Sequence, residues 1–217
     1  MVERFFRESG LIKLQKKSVI YHGYDASLVQ HGVTTENKDG VWKIAVPGRL
    51  IRRKGHRFLV EAVKTLLDKY KITVHIYGQG SEEAELRRQV ATLGMEEMVF
   101  FHGYVDNPVE ALARMDMVVV PSLGEGFGLV FLDGFAAGRP VIGFDLPAAN
   151  EIIRHGQNGL LARGASVEDL ATKIEMLIKD EQLRKDVTEN ARRDLHERFS
   201  LDGMAEKYVS FYNEVGK

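Results

Sequence analysis

Two carboxylates eight residues apart flank a glycine-containing turn near the middle of the chain. Glu125 begins the sequence Glu-Gly-Phe-Gly, and Asp133 lies in the otherwise apolar segment 129–137. A glycine turn before a helix presents free backbone N–H groups and the positive end of the helix dipole, which suits a phosphate. Eight helical residues rise about 12 Å, roughly the distance between the two ends of a nucleoside diphosphate sugar. This spacing would let one carboxylate hold sugar hydroxyls and the other hold ribose hydroxyls.

Each of these residues also has an ordinary structural explanation. Glu125 is favoured near a helix start simply as an acid beside the positive end of the dipole. Asp133 is harder to explain in this way, because aspartate is a poor residue for a helix interior and a carboxylate there needs water or a partner. Gly126 and Gly128 taken alone indicate only a sharp turn.

A group of cations follows the first predicted strand. Gly48 and Arg49 lie at the end of that strand, and Lys54 begins the helix after it. Arginine binds phosphate oxygens in pairs and lysine acts as a point charge, so the two could clamp a pyrophosphate. The alternative is a solvated basic loop, since Arg52 and Arg53 stand there too and exposed cations are common.

Several other catalytic patterns are missing from the sequence. Gly78-Gln79-Gly80 begins like a dinucleotide fingerprint, but Glu83 stands where the third glycine belongs. The seven histidines are dispersed without metal-ligand spacing, and neither a Walker A loop nor a G-x-S-x-G elbow occurs. None of these patterns therefore indicates a metal site or a dinucleotide cofactor.

Composition narrows the class of protein further. The chain has 217 residues, a net charge of −1 and no cysteine. The balanced charge gives no basic footprint for nucleic acid, and the absence of cysteine excludes disulfides and thiolate metal sites. No apolar run reaches the roughly 18 residues of a membrane span, and the N-terminus lacks the apolar core of a signal peptide. A cytoplasmic location is the expectation.

Short apolar runs alternate with segments of helical periodicity from residue 41 onwards. The runs predict strands at 42–47, 72–77, 99–101, 117–120, 140–144 and 160–162. The remaining segments predict helices at 54–69, from 81 with Ser81 as N-cap, from 107, and at 129–137, 148–155, 167–178, 181–198 and 201–215. Strands separated by helices imply an α/β fold: a doubly wound, Rossmann-like parallel sheet of about six strands with helices on both faces.

The remaining segments are less regular. Residues 1–17 predict a short helix, residues 18–21 favour a strand, and residues 23–40 form a linker or long loop rich in turn residues. In a parallel sheet of this kind, the ligand lies beyond the carboxyl ends of the strands. The loops at those ends are also the richest in glycine and polar residues, which favours a real site there.

Several motifs together resemble one known family. They are Gly48-Arg49-Leu50 with Lys54-Gly55, Gly78-Gln79-Gly80, Phe101-His102-Gly103-Tyr104-Val105, the segment from Glu125 to Ile142, and the segment from Glu151 to Leu161. The chain resembles the C-terminal domain of retaining glycosyltransferases of the group-one, glycogen-synthase-like class, over roughly residues 18–215. The resemblance implies the two-domain GT-B architecture, with an active site in the cleft between the domains.

The resemblance also implies a role for each site residue. Glu125 would contact the sugar hydroxyls, and Arg49 and Lys54, beside Gly48, would hold the pyrophosphate; these three are the candidate catalytic residues. Asp133 stands where the family has a ribose-binding glutamate that is one methylene longer. The remaining donor-binding candidates are backbone groups near the phosphates and a residue near the base: Phe127, Gly128, Leu129 and Val105. Such enzymes need no metal, so the resemblance implies neither a metal nor a cofactor, and the donor substrate would be of the UDP or GDP type.

The same resemblance implies a division of the chain. Residues 1–40 would be a remnant of the N-terminal domain with the interdomain linker, 41–199 the nucleotide-sugar-binding domain, and 200–217 a C-terminal crossover helix. The acceptor-binding N-terminal domain would then be absent from this chain and would be its partner. The crossover helix would expose apolar side chains: Met204, Tyr208, Phe211 and Tyr212. Membrane association of the full-length protein is left open.

We therefore expect the donor-binding domain of a retaining glycosyltransferase, which moves a hexosyl group from a nucleotide sugar to an acceptor hydroxyl. The isolated domain should have little activity. Two alternatives remain at this point. A non-catalytic nucleotide-sugar-binding module would use the same site, and a GT-B-like sugar-nucleotide epimerase would differ in its products.

Overall fold

The computed structural model describes residues 18–29, 37 and 40–215. The helix predicted for residues 1–17 lies outside them, as does much of the predicted linker. The regular fold begins with the first strand at residue 41.

The core of the fold is a parallel sheet of six strands, as the sequence predicts. The strands are β1 (Val41–Pro47), β2 (Lys71–Tyr77), β3 (Val99–Gly103), β4 (Met117–Val120), β5 (Val141–Asp145) and β6 (Leu160–Arg163). They are arranged in the order β3-β2-β1-β4-β5-β6. The strand order reverses between β1 and β4, so the loops after these two strands flank the crevice where such sheets bind ligands.

Helices cover both faces of the sheet, which confirms the doubly wound arrangement. They are α1 (His56–Lys64), α2 (Glu83–Thr92), α3 (Pro108–Ala113), α4 (Leu129–Ala136), α5 (Pro147–Ile152), α6 (Val167–Lys179), α7 (Glu181–Arg198) and α8 (Leu201–Val215). One apolar cluster joins the sheet to α1, α2 and α6. A second cluster joins the opposite face to α3, α4, α5 and α7. The alternating side chains of β1 contribute to both, with Ile44 in the first cluster and Ala45 in the second.

Two helix starts differ from the prediction. The sequence predicts the first helix from Lys54 to Lys69, whereas α1 runs from His56 to Lys64 and residues 65–69 form turns. The helix starts late because Arg52–Lys54 form a separate 3-10 turn that ends at Gly55 in the left-handed conformation (φ 69°). Ser81 is not an N-cap, since the cap position of α2 belongs to Glu82, without a side-chain hydrogen bond. The Glu82 amide instead donates to the carbonyl of Leu50 at 2.8 Å, which holds this helix start against the loop after β1.

The chain before β1 forms no strand at residues 18–21, where the sequence favoured one. Its backbone partner is the junction between α7 and α8: Tyr24 bridges to Ser200, and the Tyr24 amide donates to the Phe199 carbonyl at 2.6 Å. The segment therefore packs against this junction and does not join the sheet. No helix in the described ranges is long and apolar enough to cross a membrane.

The final helix, α8, has no fully buried residue. Tyr208 and Tyr212 are 43% and 65% exposed, as the sequence predicts for this helix. Met204 is only half-exposed, because its sulfur accepts a hydrogen bond from the Gly23 amide at 3.1 Å. Phe211 is likewise half-buried.

Candidate functional site

A lysine and a glutamate from two different loops meet at the crevice between β1 and β4. The Lys54 ammonium lies 2.6 Å from Oε1 and 2.7 Å from Oε2 of Glu125. The two side chains are only 15% and 10% exposed. The structure thus brings together two of the residues that the sequence assigns to one site, although 71 residues separate them in the chain.

Close backbone packing places these two loops side by side. A methyl group built on Gly55 would lie 2.0 Å from the carbonyl oxygen of Pro121, at the end of β4. The Leu123 amide donates to the Arg53 carbonyl at 2.7 Å. Glycine is required at position 55 both for this approach and for its positive φ.

The start of α4 lies directly after Glu125. Gly128 caps this helix in the left-handed conformation, with φ 98° and ψ 47°. The first N–H groups of a helix lack partners within it and carry the positive end of its dipole. The predicted donor-binding residues at this turn differ in exposure: Leu129 is 42% exposed, whereas Phe127 is half-buried. The turn therefore offers amide donors next to a paired lysine and glutamate.

Gly48 and Arg49 occupy the loop that follows β1. The Gly48 amide donates to the Tyr77 carbonyl at 2.9 Å, and the aliphatic stem of Lys54 passes 3.8 Å from a methyl group built on Gly48. Arg49 is exposed, and its side chain makes no hydrogen bond or ion pair to any residue that the structure describes. Lys54 therefore directly contacts Glu125, while Arg49 lies in the same loop as an uncommitted cation.

Asp133 has the partner that a carboxylate in an apolar helix needs. The hydroxyl of Tyr24 donates a hydrogen bond to its Oδ1 at 2.7 Å. Burial raises the pKa of the Asp133 carboxyl, and the tyrosine hydrogen bond offsets part of that pKa rise. Burial and the neighbouring Asp133 charge raise the pKa of Tyr24, so its hydroxyl keeps its proton. Sequence reasoning missed Tyr24, since the only hint was that Asp133 required a partner.

Aromatic side chains link the glycine turn to the segment before β1. The Phe127 ring centroid lies 5.8 Å from that of Tyr21, 6.3 Å from that of His22 and 6.1 Å from that of Phe199. The turn is therefore packed against residues from both the beginning of the described chain and the end of α7. No sequence pattern predicted this aromatic cluster of Tyr21, His22, Phe127 and Phe199.

The predicted base-proximal residue, Val105, lies after β3. Its side chain is half-buried and packs on the apolar cluster that includes α3 and α4, whereas the adjacent Tyr104 is 72% exposed. Both α4 and the loop after β3 therefore border the same side of the sheet. Among residues 18–29, 37 and 40–215, no three metal-binding side chains come together.

A separate cavity of about 280 Å³ lies between α1 and α2. Its lining includes His56, Arg52 and Glu82, but not Glu125 or Asp133. His56 is 5% exposed, and burial, followed by the nearby Lys54 charge, lowers its pKa to about 4. This cavity is distinct from the crevice between β1 and β4, where Lys54 and Glu125 meet.

The sheet order and the crevice residues define a Rossmann-like ligand-binding domain, and comparison with known proteins gives its family. Residues 33–194 match the family described as "Glycosyl transferases group 1". This match covers well over half of the chain. The protein therefore belongs to the group 1 glycosyltransferases.

Individual relatives agree with this assignment. The chain is 29% identical over 209 residues to a glycosyltransferase of Methanocaldococcus jannaschii, covering 91% of this chain and 54% of that protein. It is 31% identical over 157 residues to the N-acetyl-alpha-D-glucosaminyl L-malate synthase of Bacillus anthracis, covering 72% of this chain and 41% of that protein. The chain thus spans about half the length of the curated relatives it matches.

A solved structure shares both the fold and detectable sequence similarity. The Anabaena protein HepE, in complex with UDP-glucose, superposes with a TM-score of 0.78 at 27% identity. The match covers 89% of this chain and 57% of that one. Structural neighbours of this kind are GT-B glycosyltransferases, so the fold predicted from the sequence is confirmed.

Proposed function

We propose that this chain is the donor-binding domain of a retaining glycosyltransferase that moves a hexosyl group from a nucleoside diphosphate sugar to an acceptor hydroxyl. The observation that carries the proposal is the Lys54–Glu125 pair at the entrance to α4, with Lys54 Nζ 2.6 Å from the carboxylate. A diphosphate between this lysine and the helix amides would be stabilised where its negative charge develops as the sugar leaves. Glu125 would accept hydrogen bonds from the sugar hydroxyls.

Residues of this chain alone can neutralise the leaving diphosphate in this proposal. Lys54 supplies one positive charge and exposed Arg49, in the same loop, supplies a second. The start of α4 adds fixed dipoles. Because these groups take the place of a divalent cation, we propose that donor binding is independent of metal. Equal affinity for UDP in EDTA and in magnesium buffer, by titration calorimetry, is the expected result; a strict requirement for magnesium would contradict it.

Binding of UDP and GDP to the chain tests the proposed site. UDP is the first probe because the related HepE structure contains UDP-glucose. We expect one of the two nucleotides to bind and Arg49→Ala to weaken that binding about tenfold, as expected for loss of charge-assisted hydrogen bonds to phosphate. Titration calorimetry measures the affinity, and thermal unfolding confirms that the variant is folded.

Arg52→Ala is the matched control for this experiment. It removes the same charge from the same loop, but Arg52 lines the cavity between α1 and α2 instead of the crevice. We expect Arg52→Ala to change nucleotide affinity less than twofold, in contrast to Arg49→Ala. Equal losses in the two variants would indicate a nonspecific basic loop. Absence of binding by UDP and GDP would overturn the proposed function.

A further inference from the structure

The buried end of Tyr24 is aimed at the carboxylate that lies eight residues after Glu125. Its hydroxyl is 2.7 Å from Asp133 Oδ1, and the two residues are 109 positions apart in the chain. Within the described part of the chain, this is the one hydrogen bond found for the Asp133 side chain. The contact therefore joins α4 to the segment that precedes the sheet.

The fold holds the Tyr24 hydroxyl in place. Tyr24 is only 7% exposed, and its backbone amide donates to the Phe199 carbonyl at 2.6 Å. At the preceding residue, Gly23, a built methyl group would lie 2.7 Å from the Leu201 Cα, so the backbone approaches the start of α8 closely. The tyrosine thus has little freedom to leave the carboxylate without movement of this whole connection.

The single hydrogen bond from Tyr24 leaves most of the acceptor positions of the Asp133 carboxylate unoccupied. An ionised carboxylate has about four acceptor positions on two oxygens and no donor. Tyr24 occupies one position on Oδ1, and Asp133 remains partly exposed. The Asp133 carboxylate therefore keeps acceptor positions for the hydroxyl groups of a ligand.

We propose that Tyr24 is a positioning residue, which orients Asp133 to accept hydrogen bonds from the ribose hydroxyls of a nucleoside diphosphate; this rests on the proposed function. An aspartate side chain is one methylene shorter than that of glutamate, so the Asp133 carboxylate lies close to the helix axis. The tyrosine hydroxyl fixes the orientation of this shorter side chain. It also stabilises the ionised form, which is the form that accepts from two neighbouring hydroxyls.

Nucleotides lacking a ribose hydroxyl test the proposal directly. The probes are UDP, 2′-deoxy-UDP and 3′-deoxy-UDP, or the corresponding guanine nucleotides if GDP is the one that binds. We expect the wild-type chain to bind at least one deoxy form about tenfold more weakly, the effect of one hydrogen bond to a charged group. Tyr24→Phe should bind the parent nucleotide about tenfold more weakly and the discriminated deoxy form within about twofold of wild type.

Two further variants make the result decisive. Tyr70→Phe is the matched control, because Tyr70 also donates to a carboxylate, Glu175, at 2.9 Å, but on α6. It should leave the discrimination between ribose and deoxyribose unchanged. Asp133→Asn keeps an acceptor for Tyr24 but removes the charge, and it should lose the discrimination even if Tyr24→Phe folds poorly.

The possible outcomes separate the two proposals. If neither UDP nor GDP binds the wild-type chain, the proposed function fails. If a nucleotide binds but the wild type does not distinguish it from its deoxy forms, Asp133 does not contact the ribose and this inference fails alone. Equal weakening of parent and deoxy nucleotides by Tyr24→Phe would also overturn it, because that result reports a purely structural tyrosine.

Discussion

Glu125 and Lys54 have separate predicted partners, yet in the structure each is the other's partner. Both carboxylate oxygens lie within 2.7 Å of the ammonium, and both side chains are largely buried. A charge in such a site is stabilised only while its counter-charge remains. The Glu125 carboxylate, proposed to bind the sugar, therefore changes how strongly Lys54 can attract the diphosphate.

This coupling predicts opposite effects of Glu125→Gln on two ligands. Removing the carboxylate charge frees Lys54 for phosphate, so the affinity for UDP should stay the same or rise by up to about tenfold. The affinity for UDP-glucose, divided by that for UDP, should fall about tenfold because the amide is a weaker acceptor for the sugar hydroxyls. Titration calorimetry with the two ligands gives both ratios.

Glu110→Gln is a suitable control for that variant. Glu110, on the solvent-facing side of α3, pairs with Arg114 just after the helix, and exposed pairs of this kind contribute little. We expect unchanged affinities for both ligands. A parallel loss of UDP and UDP-glucose affinity in Glu125→Gln would argue against separate roles for the two charges.

At the level of the elements, the junction between the 3-10 turn and α1 has almost no free space. Gly55 has φ 69°, and a methyl group there would lie 2.0 Å from the Pro121 carbonyl oxygen. Gly94 has a similar φ of 65°, but a methyl group there would meet nothing within 4 Å. The two glycines therefore separate the cost of the backbone conformation from the cost of the clash.

We expect Gly94→Ala to lower the free energy of unfolding by about 1 kcal/mol, through the left-handed conformation alone. Gly55→Ala should cost about 1–3 kcal/mol more, because the added methyl group pushes the loop after β4 away. Urea unfolding of the two variants measures both values. Equal losses would show that the close approach of Gly55 to Pro121 is readily relieved.

The α1 terminus also makes stability depend on pH. The pKa of buried His56 is lowered from its usual 6.5 to about 4, so the unfolded chain takes up this proton at higher pH than the folded one. The contribution of neutral, buried His56 to the free energy of unfolding is fully present above pH 6.5 and is lost as the pH falls towards 4. We expect this loss in the free energy of unfolding to be on the order of 2–3 kcal/mol. The raised pKa of half-buried Asp133 acts in the opposite direction.

The His56 contribution is isolated by comparing wild type with His56→Gln. The free energy of unfolding, measured in urea at several pH values between 7.5 and 4, should fall more steeply in the wild type. Exposed His196→Gln controls for the loss of an imidazole as such. Parallel pH profiles of wild type and His56→Gln would contradict the prediction.

For the whole molecule, the distance in sequence between contacting residues explains which features were predictable. The sheet was predictable because its strands are short and buried on both faces, so each one is a local apolar run, such as Met117–Val120. The contacts of the site were only partly predictable, since the Lys54–Glu125 and Tyr24–Asp133 pairs are 71 and 109 residues apart. Helix starts failed where a distant backbone group intervened, as the Leu50 carbonyl does at Glu82.

At this scale we also expect binding without turnover. The chain spans 54% of the length of its Methanocaldococcus jannaschii relative, and the acceptor site is proposed to lie elsewhere. UDP should bind the chain, while incubation with UDP-glucose and simple sugar acceptors should give no transfer above the uncatalysed rate. Mass spectrometry of the products measures this. Efficient transfer by the chain alone would place the acceptor site within it.

The hydrogen bond from Tyr24 also sets a limit on how far this protein can be shortened. A fragment starting at β1 would contain every strand, yet it would lose the donor to half-buried Asp133 and uncover the Phe127 and Phe199 rings. The packed part of the domain consequently begins before the sheet does and includes Tyr21 and Tyr24. A fragment whose boundaries follow the strand pattern alone would be less stable and more prone to aggregation.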